Sequence, residues 1–392
     1  RGGNTGSITI GAGGTGIVAK DATGTHTTVV NNSGNIVLNG GNVANRTTGI
    51  RASGAQTTVN MTGGTVTLNG DGAIGVRASD GATVNLSGTA TPDFSESATD
   101  QILFAISGAG STINTDVPAS TILDASGTRS TLFRLEDGAT MDGDIQVAAS
   151  GQEATALYAT GPGTHATIGS GSALDISGAG ATGVIASGEA TIDIESGASL
   201  ALTGTGARAG IVDGNTYGSD GSLISTNSGA VLNNAATITS SVNGATAFTA
   251  QNSGTLDNSG DIVLTGTEST AVKVLGGEVG NRGNITANGT ALYVGAGDQG
   301  QASSVTNSGT VLATDGTAAI NLAAGALNLV GSGVGTVEAR GTADGVLVST
   351  GATGLDVNGA HIIVNAAGAT GNGIENAANL TDLQLTNRSE EH

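Results

Sequence analysis

The sequence contains no cysteine and no tryptophan, and it has few prolines, aromatic residues and cations. The absence of cysteine from 392 residues excludes a disulfide framework and any zinc site that depends on thiolates. Only three prolines interrupt the backbone, so long stretches are free to pair as continuous strand ladders. Aromatic residues make up 2% of the chain, and we therefore do not expect a globular core built around large side chains.

Positive charge is also scarce, because 12 Lys and Arg residues face 32 Asp and Glu residues, giving a net charge of −20. Such a surface repels phosphate backbones and anionic lipids, so we expect no nucleic-acid partner. No apolar run approaches the roughly 20 residues of a membrane-spanning helix, which predicts no direct membrane insertion by this segment. The chain opens without a signal peptide, as a mature or excised segment would.

Glycine and residues that favour β-strands are abundant instead. The chain has 68 glycines, and hydrophobic residues still make up 37% of it, which is too much for a disordered chain. Helix formers such as Glu, Lys and Arg are rare, whereas Val, Ile and Thr are frequent. The local preference is therefore for short strands and turns.

A three-residue signature, usually a small residue, then Gly or Ala, then an apolar residue, returns about every 27 residues, which indicates a solenoid. Roughly fourteen copies occur, two of them degenerate. The copies are Thr15–Ile17, Thr48–Ile50, Ile74–Val76, Leu103–Phe104, Leu132–Phe133, Thr155–Leu157, Thr182–Val184, Ala209–Ile211, Thr246–Phe248, Thr270–Val272, Thr290–Leu292, Ala318–Ile320, Asp344–Val346 and Asn372–Ile374.

One coil of this repeat contains three strand patterns separated by turns. Apolar residues alternate with polar ones or form short clusters in three segments, which glycine-rich turns connect. The segments are Thr65–Leu68, Ile74–Ala78 and Ala82–Leu86. We predict an all-β fold, a right-handed single-stranded parallel β-helix (solenoid) of about 14 coils that forms one domain over residues 1–392.

The repeat also predicts what fills and shapes each coil. The Gly or Ala before the signature apolar residue indicates a crowded inner position where a larger side chain would clash. The aromatic residues at or beside the signature are expected in core stacks: Phe104, Phe133, Phe248, Tyr158 and Tyr293. Asn-Ser-Gly and its variant Asn-Arg-Gly predict turn corners with a ladder of side-chain amides, at Asn32, Asn227, Asn252, Asn258, Asn281 and Asn307.

Function on a solenoid is expected where the period breaks. We predict loop excursions near residues 40–47, 89–101 and 212–226. Exposed aromatic side chains are frequent binding hot spots, so these excursions supply the candidate partner contacts. The candidates are Phe94, Asp213, Tyr217 and Asp220.

Patterns for catalysis and cofactor binding are missing from the sequence. It contains no Gly-x-Ser-x-Gly motif, and its four histidines are scattered without metal-ligand spacing. Asp213, Asn215 and Asp220 lie near one another but lack calcium-loop spacing, so no metal and no cofactor is predicted. A β-helical carbohydrate-active enzyme would need paired carboxylates, for which the candidates are Asp175, Asp193 and Glu195. The absence of tryptophan disfavours the stacking of sugar rings, so we predict no enzyme.

Several rungs resemble those of pertactin-type autotransporter passenger domains, and the resemblance extends over the whole chain. It is carried by Thr15–Ala19, Thr182–Gly188 and Ala291–Ser303. The resemblance implies a Gram-negative passenger exported by type V secretion and found at the outer-membrane surface or secreted. The chain lacks the Arg-Gly-Asp motif of some such passengers, which argues against integrin binding.

These observations predict a virulence-type passenger without catalytic activity that binds a host protein or an extracellular-matrix component, as an adhesin or an immune-evasion factor. Self-association is the alternative, because a flat polar Asn/Thr ladder would let copies bind side by side and so drive aggregation and biofilm formation. A β-helical carbohydrate-active enzyme and a stalk that displays another domain remain further alternatives.

Overall fold

The chain folds into short parallel strands that stack on one another, as the alternating sequence requires. The computed structural model describes residues 2–21, 26–217, 222–226, 228–333, 335–364, 370–378, 380 and 383–386, and within them it is all-β. The predicted fold class is confirmed, because the parallel strands form a β-solenoid of about 14 turns. In Thr57–Met61, for example, Val59 and Met61 are fully buried while Thr58 and Asn60 face outward, which is the period-two pattern of a half-buried strand.

The structure divides into two compact units, described separately below. Unit 1 comprises Arg1–Ile185 and Ala190–Ala198, and unit 2 comprises Ala186–Glu189 and Ser199–His392. The strands that begin in unit 1 are β1 (Gly2–Asn4), β2 (Ser7–Ile10), β3 (Thr15–Lys20), β4 (Thr28–Asn32), β5 (Asn35–Leu38), β6 (Thr48–Ser53), β7 (Thr57–Met61), β8 (Thr65–Leu68), β9 (Ile74–Ser79), β10 (Thr83–Ser87), β11 (Thr91–Phe94), β12 (Ile102–Ser107), β13 (Thr112–Asp116), β14 (Leu123–Asp124), β15 (Thr131–Glu136), β16 (Thr140–Asp144), β17 (Gln146–Ala149), β18 (Thr155–Thr160), β19 (His165–Ile168), β20 (Ala173–Ile176), β21 (Thr182–Ser187) and β22 (Thr191–Ile194).

Three stacks of in-register strands make up unit 1. The signature stack contains β3, β6, β9, β12, β15 and β18. The second stack contains β1, β4, β7, β10, β13, β16, β19 and β22. The third stack begins with β2, β5, β8 and β11 and continues with β14, β17 and β20. Each turn of the chain thus contributes one strand to each stack.

Unit 2 has the same three-stack plan, with tighter corners. Its strands are β23 (Ser199–Leu202), β24 (Arg208–Asp213), β25 (Thr216–Tyr217), β26 (Leu223–Ser225), β27 (Val231–Asn234), β28 (Thr237–Ser240), β29 (Thr246–Gln251), β30 (Thr255–Asn258), β31 (Asp261–Leu275), β32 (Glu278–Asn281), β33 (Asn284–Gly295), β34 (Ser303–Asn307), β35 (Thr310–Gly331), β36 (Thr336–Ala339), β37 (Asp344–Asn358), β38 (His361–Val364), β39 (Ile374–Asn376) and β40 (Leu383–Thr386). The long strands β31, β33, β35 and β37 bend around corners, as the register break in β31 between Leu264 and Ser269 shows.

Aliphatic residues and phenylalanines fill the interior of the coils. Phe104, Phe133 and Phe248 are at most 1% exposed, and the rings of Phe104 and Phe133 stack with centroids 5.5 Å apart, as predicted. The prediction is wrong for the tyrosines. Tyr158 is in register with the outward-facing Arg134, whose guanidinium lies 5.1 Å from the centre of its ring, and Tyr293 is in register with Lys273. Their polar hydroxyl groups favour the outer side of the strand.

The crowding predicted at the signature glycines is confirmed. A Cβ atom at Gly49 would lie 2.5 Å from the carbonyl oxygen of Gly75, and one at Gly75 would lie 2.7 Å from that of Leu103. The register differs from the sequence prediction in one coil. Gly210, rather than Ile211, pairs with Phe248, so Ile211 faces outward.

The predicted amide ladder is confirmed at most of its positions. In unit 2, Asn234 donates to Asn258 (2.8 Å), Asn258 to Asn281 (2.9 Å) and Asn281 to Asn307 (2.9 Å), and all four side chains are buried. In unit 1, Asn32 accepts from Asn4, and Asn227 lies outside the described residues. Asn252 does not join the ladder and instead contacts the carboxylates of Asp213 and Asp298.

Part of the excursion predicted at 89–101 is regular strand. Thr91–Phe94 forms β11, in register with Thr65–Leu68, and Phe94 is only 3% exposed. The amides of Thr91 and Ser95 donate to the preceding rung, so Pro92 between them faces the free edge of β11, where its missing N–H does no harm. The expectation that Phe94 is an exposed contact is therefore wrong.

Candidate functional site

A β-hairpin interrupts the parallel stacking of unit 2 directly after β24. Strands β25 and β26 pair antiparallel, with Thr216 opposite Ser225 and Tyr217 opposite Leu223. The turn into the hairpin requires glycine, because a Cβ atom at Gly214 would overlap the carbonyl of Asn252. We call residues 213–217 and 222–226 the hairpin excursion. It lies in the widest gap of the repeat, where the sequence predicted a loop.

The carboxylate of Asp213 fixes the base of the hairpin excursion. Its Oδ1 accepts from the backbone N–H of Asn215 (2.9 Å) and from Nδ2 of Asn252 (3.0 Å). Its Oδ2 accepts from Nε2 of Gln251 (2.7 Å) and from the hydroxyl of Tyr217 (3.1 Å). Asp213 is 4% exposed, so the expectation that it contacts a partner directly is wrong. Buried carboxylates are stable when donors surround them in this way.

Asn252 connects this base to a second loop of unit 2. Its Nδ2 also donates to Oδ2 of Asp298 (3.1 Å), and its Oδ1 accepts from the backbone N–H of Asp298 (3.3 Å). Asn252 itself has a positive φ of 51°, a backbone conformation that asparagine tolerates well. One buried amide therefore holds two loops together.

Tyr217 takes part in this base, since its hydroxyl donates to Asp213. Burial raises the pKa of Tyr217, and the nearby carboxylate of Asp213 adds to the shift. The phenol therefore stays protonated and able to donate at neutral pH. Asp220, the remaining candidate contact, lies outside the described residues.

Two apolar side chains that sequence reasoning missed are exposed on the described part of the hairpin. Leu223 is 51% exposed and Ile224 is 68% exposed. The available signal was an apolar pair inside an otherwise polar excursion. Leu223 and Ile224 are adjacent on β26, and adjacent exposed apolar residues are a candidate contact surface.

The other acidic residues that the sequence singled out are spread over two stacks of unit 1. Asp175 lies on β20 in the third stack, whereas Asp193 lies on β22 in the second stack, where its Oδ2 is 2.7 Å from Nε2 of His165. Glu195 accepts from the backbone N–H of Ser170 (3.1 Å). In the part of the chain that the structure describes, no group of three or more His, Asp or Glu side chains is placed to hold a metal ion.

A second candidate surface lies on the outer side of the second stack of unit 1. Asn31, Asn60, Asn85 and Asn114 are in register and form a continuous amide ladder with distances of 2.8 to 2.9 Å. A parallel row of hydroxyl groups accompanies it on the same strands, at Thr58, Thr83, Thr112 and Thr140. We call these two rows the Thr/Asn face.

Comparison of the chain with protein-family models, with curated proteins and with solved structures gives no match. The fold and the two surfaces therefore define the class of protein, a parallel β-solenoid with an inserted hairpin. Within the described ranges there is no helix that is long and apolar enough to cross a membrane.

Proposed function

We propose that this protein is a pertactin-like autotransporter passenger without catalytic activity, and that it binds a host protein or extracellular-matrix component through the hairpin excursion. The observation that supports this most is the hairpin itself, which leaves the parallel stacking and holds Leu223 and Ile224 in water. The resemblance of the rungs to pertactin-type passengers supports the further proposal that the protein is displayed at the cell surface or secreted.

The hairpin has the physical features of a contact site. Burying a Leu or Ile side chain fully contributes about 1.5–3 kcal/mol, so a partner that covers both Leu223 and Ile224 gains affinity. The four donors on Asp213 hold the hairpin base in place before binding, which reduces the entropy lost on association.

The test uses the immobilised chain, host plasma and extracellular-matrix extract, and two matched variants. The double substitution Leu223→Ser/Ile224→Ser removes the hairpin contact, and Val43→Ser/Ile122→Ser removes two side chains of similar exposure (54% and 59%) elsewhere. We expect one captured protein to bind the purified control variant normally and the hairpin variant at least about tenfold more weakly. Equal binding to both variants contradicts the proposal.

Self-association is the second candidate, and the Thr/Asn face favours it. The face is uninterrupted over β7, β10, β13 and β16, and each of these strands offers outward hydroxyl and amide or carboxylate groups for side-by-side hydrogen bonding between two copies. Sedimentation velocity over a concentration series tests this candidate. We expect Thr83→Glu/Thr112→Glu to abolish any dimer by charge repulsion, while Thr237→Glu/Thr239→Glu leaves it intact. A wild-type chain that stays monomeric at every concentration contradicts it.

A further inference from the structure

The outer side of the signature stack in unit 1 carries a row of cations, although the chain as a whole is strongly acidic. Arg51 pairs in register with Arg77, and Arg134 follows after Ala105 takes one position. Adjacent rungs are about 4.8 Å apart, so Arg51 and Arg77 present like charges side by side. Like charges directly opposite each other on paired strands are destabilising. An anion bound between Arg51 and Arg77 would relieve this repulsion.

Two more cations border this row. Lys20 and Arg51 line one shallow groove together with Val18, Ala19 and Ser53. At the other end of the strands, Nη1 of Arg46 donates to the carbonyl oxygens of Gly72 (2.9 Å) and Asp100 (3.4 Å). Burial lowers the pKa of Arg46, and repulsion by Arg134 and Arg77 lowers it further, while Asp100 and Glu136 oppose the shift. These guanidinium and carboxylate groups therefore lie within electrostatic range of one another. We call Lys20, Arg46, Arg51, Arg77 and Arg134 the cationic face.

Two of the carboxylates beside the cationic face already have cationic partners. Asp100 is held by Arg129 at 2.8 Å, and Glu136 is held by Arg134 at 2.7 Å. Asp80 accepts from the hydroxyls of Ser53 (2.7 Å) and Ser79 (3.0 Å).

Arg51 and Arg77 are the central cations of the face, and Asp80 lies within electrostatic range of Arg51. Both arginine side chains are exposed, and neither forms an ion pair with any residue that the structure describes. Asp21 and Asp71, the remaining nearby acids, lie in turns beyond the ends of the strands. The guanidinium groups of Arg51 and Arg77 are therefore accessible to an external anion.

We propose that the cationic face binds a linear sulfated polysaccharide. Guanidinium groups bind oxyanions through paired hydrogen bonds, and a row along successive rungs fits an extended chain with repeated sulfates better than a single small anion. The row ends at Tyr158, whose ring already packs against the Arg134 guanidinium, so competition by single-stranded DNA is the measurement that separates the two partners. This site is distinct from the hairpin excursion and does not depend on it.

Heparin is the probe, and binding is measured by surface plasmon resonance at several salt concentrations. The variant Arg51→Gln/Arg77→Gln is compared with Arg282→Gln/Arg340→Gln, which changes the net charge equally at two other exposed arginines (62% and 49%). We expect the first variant to bind at least about tenfold more weakly and the control to stay within about twofold of the wild type. The slope of log Kd against the logarithm of the salt concentration should decrease by about two in the first variant and stay unchanged in the control.

The glutamine variant is expected to fold, because the substitution removes a repulsion between neighbours; its urea midpoint checks this. Chemically desulfated heparin should bind much more weakly than heparin, and single-stranded DNA of equal length should not compete. No binding of wild-type chain to heparin at roughly 50 mM salt, equal losses in the two variants, or equal binding of DNA would each overturn the proposal.

Discussion

At the scale of single residues, the signature position favours glycine because the next rung lies too close for a larger side chain. Gly49 and Gly75 have ordinary negative φ values, so their role is space and not conformational freedom. Each lies against the carbonyl of the following rung, which is why a small residue recurs before the apolar signature position. Leu103 and Leu132 depart from the rule at the two degenerate copies, where Phe104 and Phe133 fill the core.

We expect Gly49→Ala to destabilise unit 1 by about 1–3 kcal/mol, because the new methyl group would lie 2.5 Å from the carbonyl oxygen of Gly75 and force the rungs apart. The urea midpoint measures the effect. Gly6→Ala is the matched control, since nothing lies within 4 Å of a Cβ atom there. An unchanged midpoint for Gly49→Ala would show that the rungs adjust without cost.

At the scale of elements, the two asparagine ladders differ in burial. The inner ladder at the ends of β27, β30, β32 and β34 is shielded from water, whereas the ladder of the Thr/Asn face is open to it. An unsatisfied buried polar group costs about 1–3 kcal/mol, but the same group at the surface is satisfied by water. The inner ladder is therefore a stability element and the outer one a surface feature.

This difference predicts unequal effects of the same substitution. Asn258→Ala leaves the carbonyl of Asn281 and one donor of Asn234 without partners, so we expect a loss of about 2–4 kcal/mol. Asn114→Ala on the Thr/Asn face should change stability by no more than about 0.5 kcal/mol. Urea unfolding of both variants checks this, and similar losses would contradict the assigned roles.

The hairpin excursion gives a second prediction at this scale. Replacing Asp213 by Ala removes the acceptor of four hydrogen bonds, so the hairpin should open locally while the rungs persist. Hydrogen exchange is expected to become at least about tenfold faster at Thr216 and Leu223 and to stay unchanged at Leu256. Loss of protection throughout unit 2 would instead show that Asp213 supports the coils themselves.

At the scale of the whole molecule, carboxylates dominate the charge, and several are more acidic when folded. Hydrogen bonds from the Arg129 guanidinium lower the pKa of Asp100, hydroxyl donors from Ser53 and Ser79 lower the pKa of Asp80, and backbone N–H groups lower the pKa of Asp315. A folded pKa below the unfolded value of 3.8 stabilises the fold above that pH, and the contribution disappears as pH falls through the folded pKa.

We therefore expect Asp100→Asn to be less stable than wild type by a constant amount from pH 5 to pH 7, with the difference shrinking below about pH 4. Urea unfolding over a pH series measures it. Arg129→Gln should show the same pH dependence, because it removes the guanidinium that holds Asp100. A difference that does not shrink at all as the pH falls below about 4 would show that the substitution acts through packing and not through charge.

Much of the coil architecture could be predicted because its determinants are local. Alternating apolar residues and glycine-rich turns recur within about 27 residues, and each rung buries its apolar face only by stacking on the next. The positions of Val76, Phe104 and Asn258 follow from that repeat. The structure of β11 does not, because Pro92 marks a loop in most contexts and is accommodated here only at a free strand edge.

The sequence by itself determined the strand, the turn and the period, since these depend on residues close together in the chain. Only the tertiary structure decided which outward side chains meet. Asp213 finds Gln251 and Asn252 38 and 39 residues away, and Arg51 lines up with Arg77 through pairing between rungs. Outward positions carry no apolar constraint, so their alignment depends on register, and register is set by the buried side of each strand.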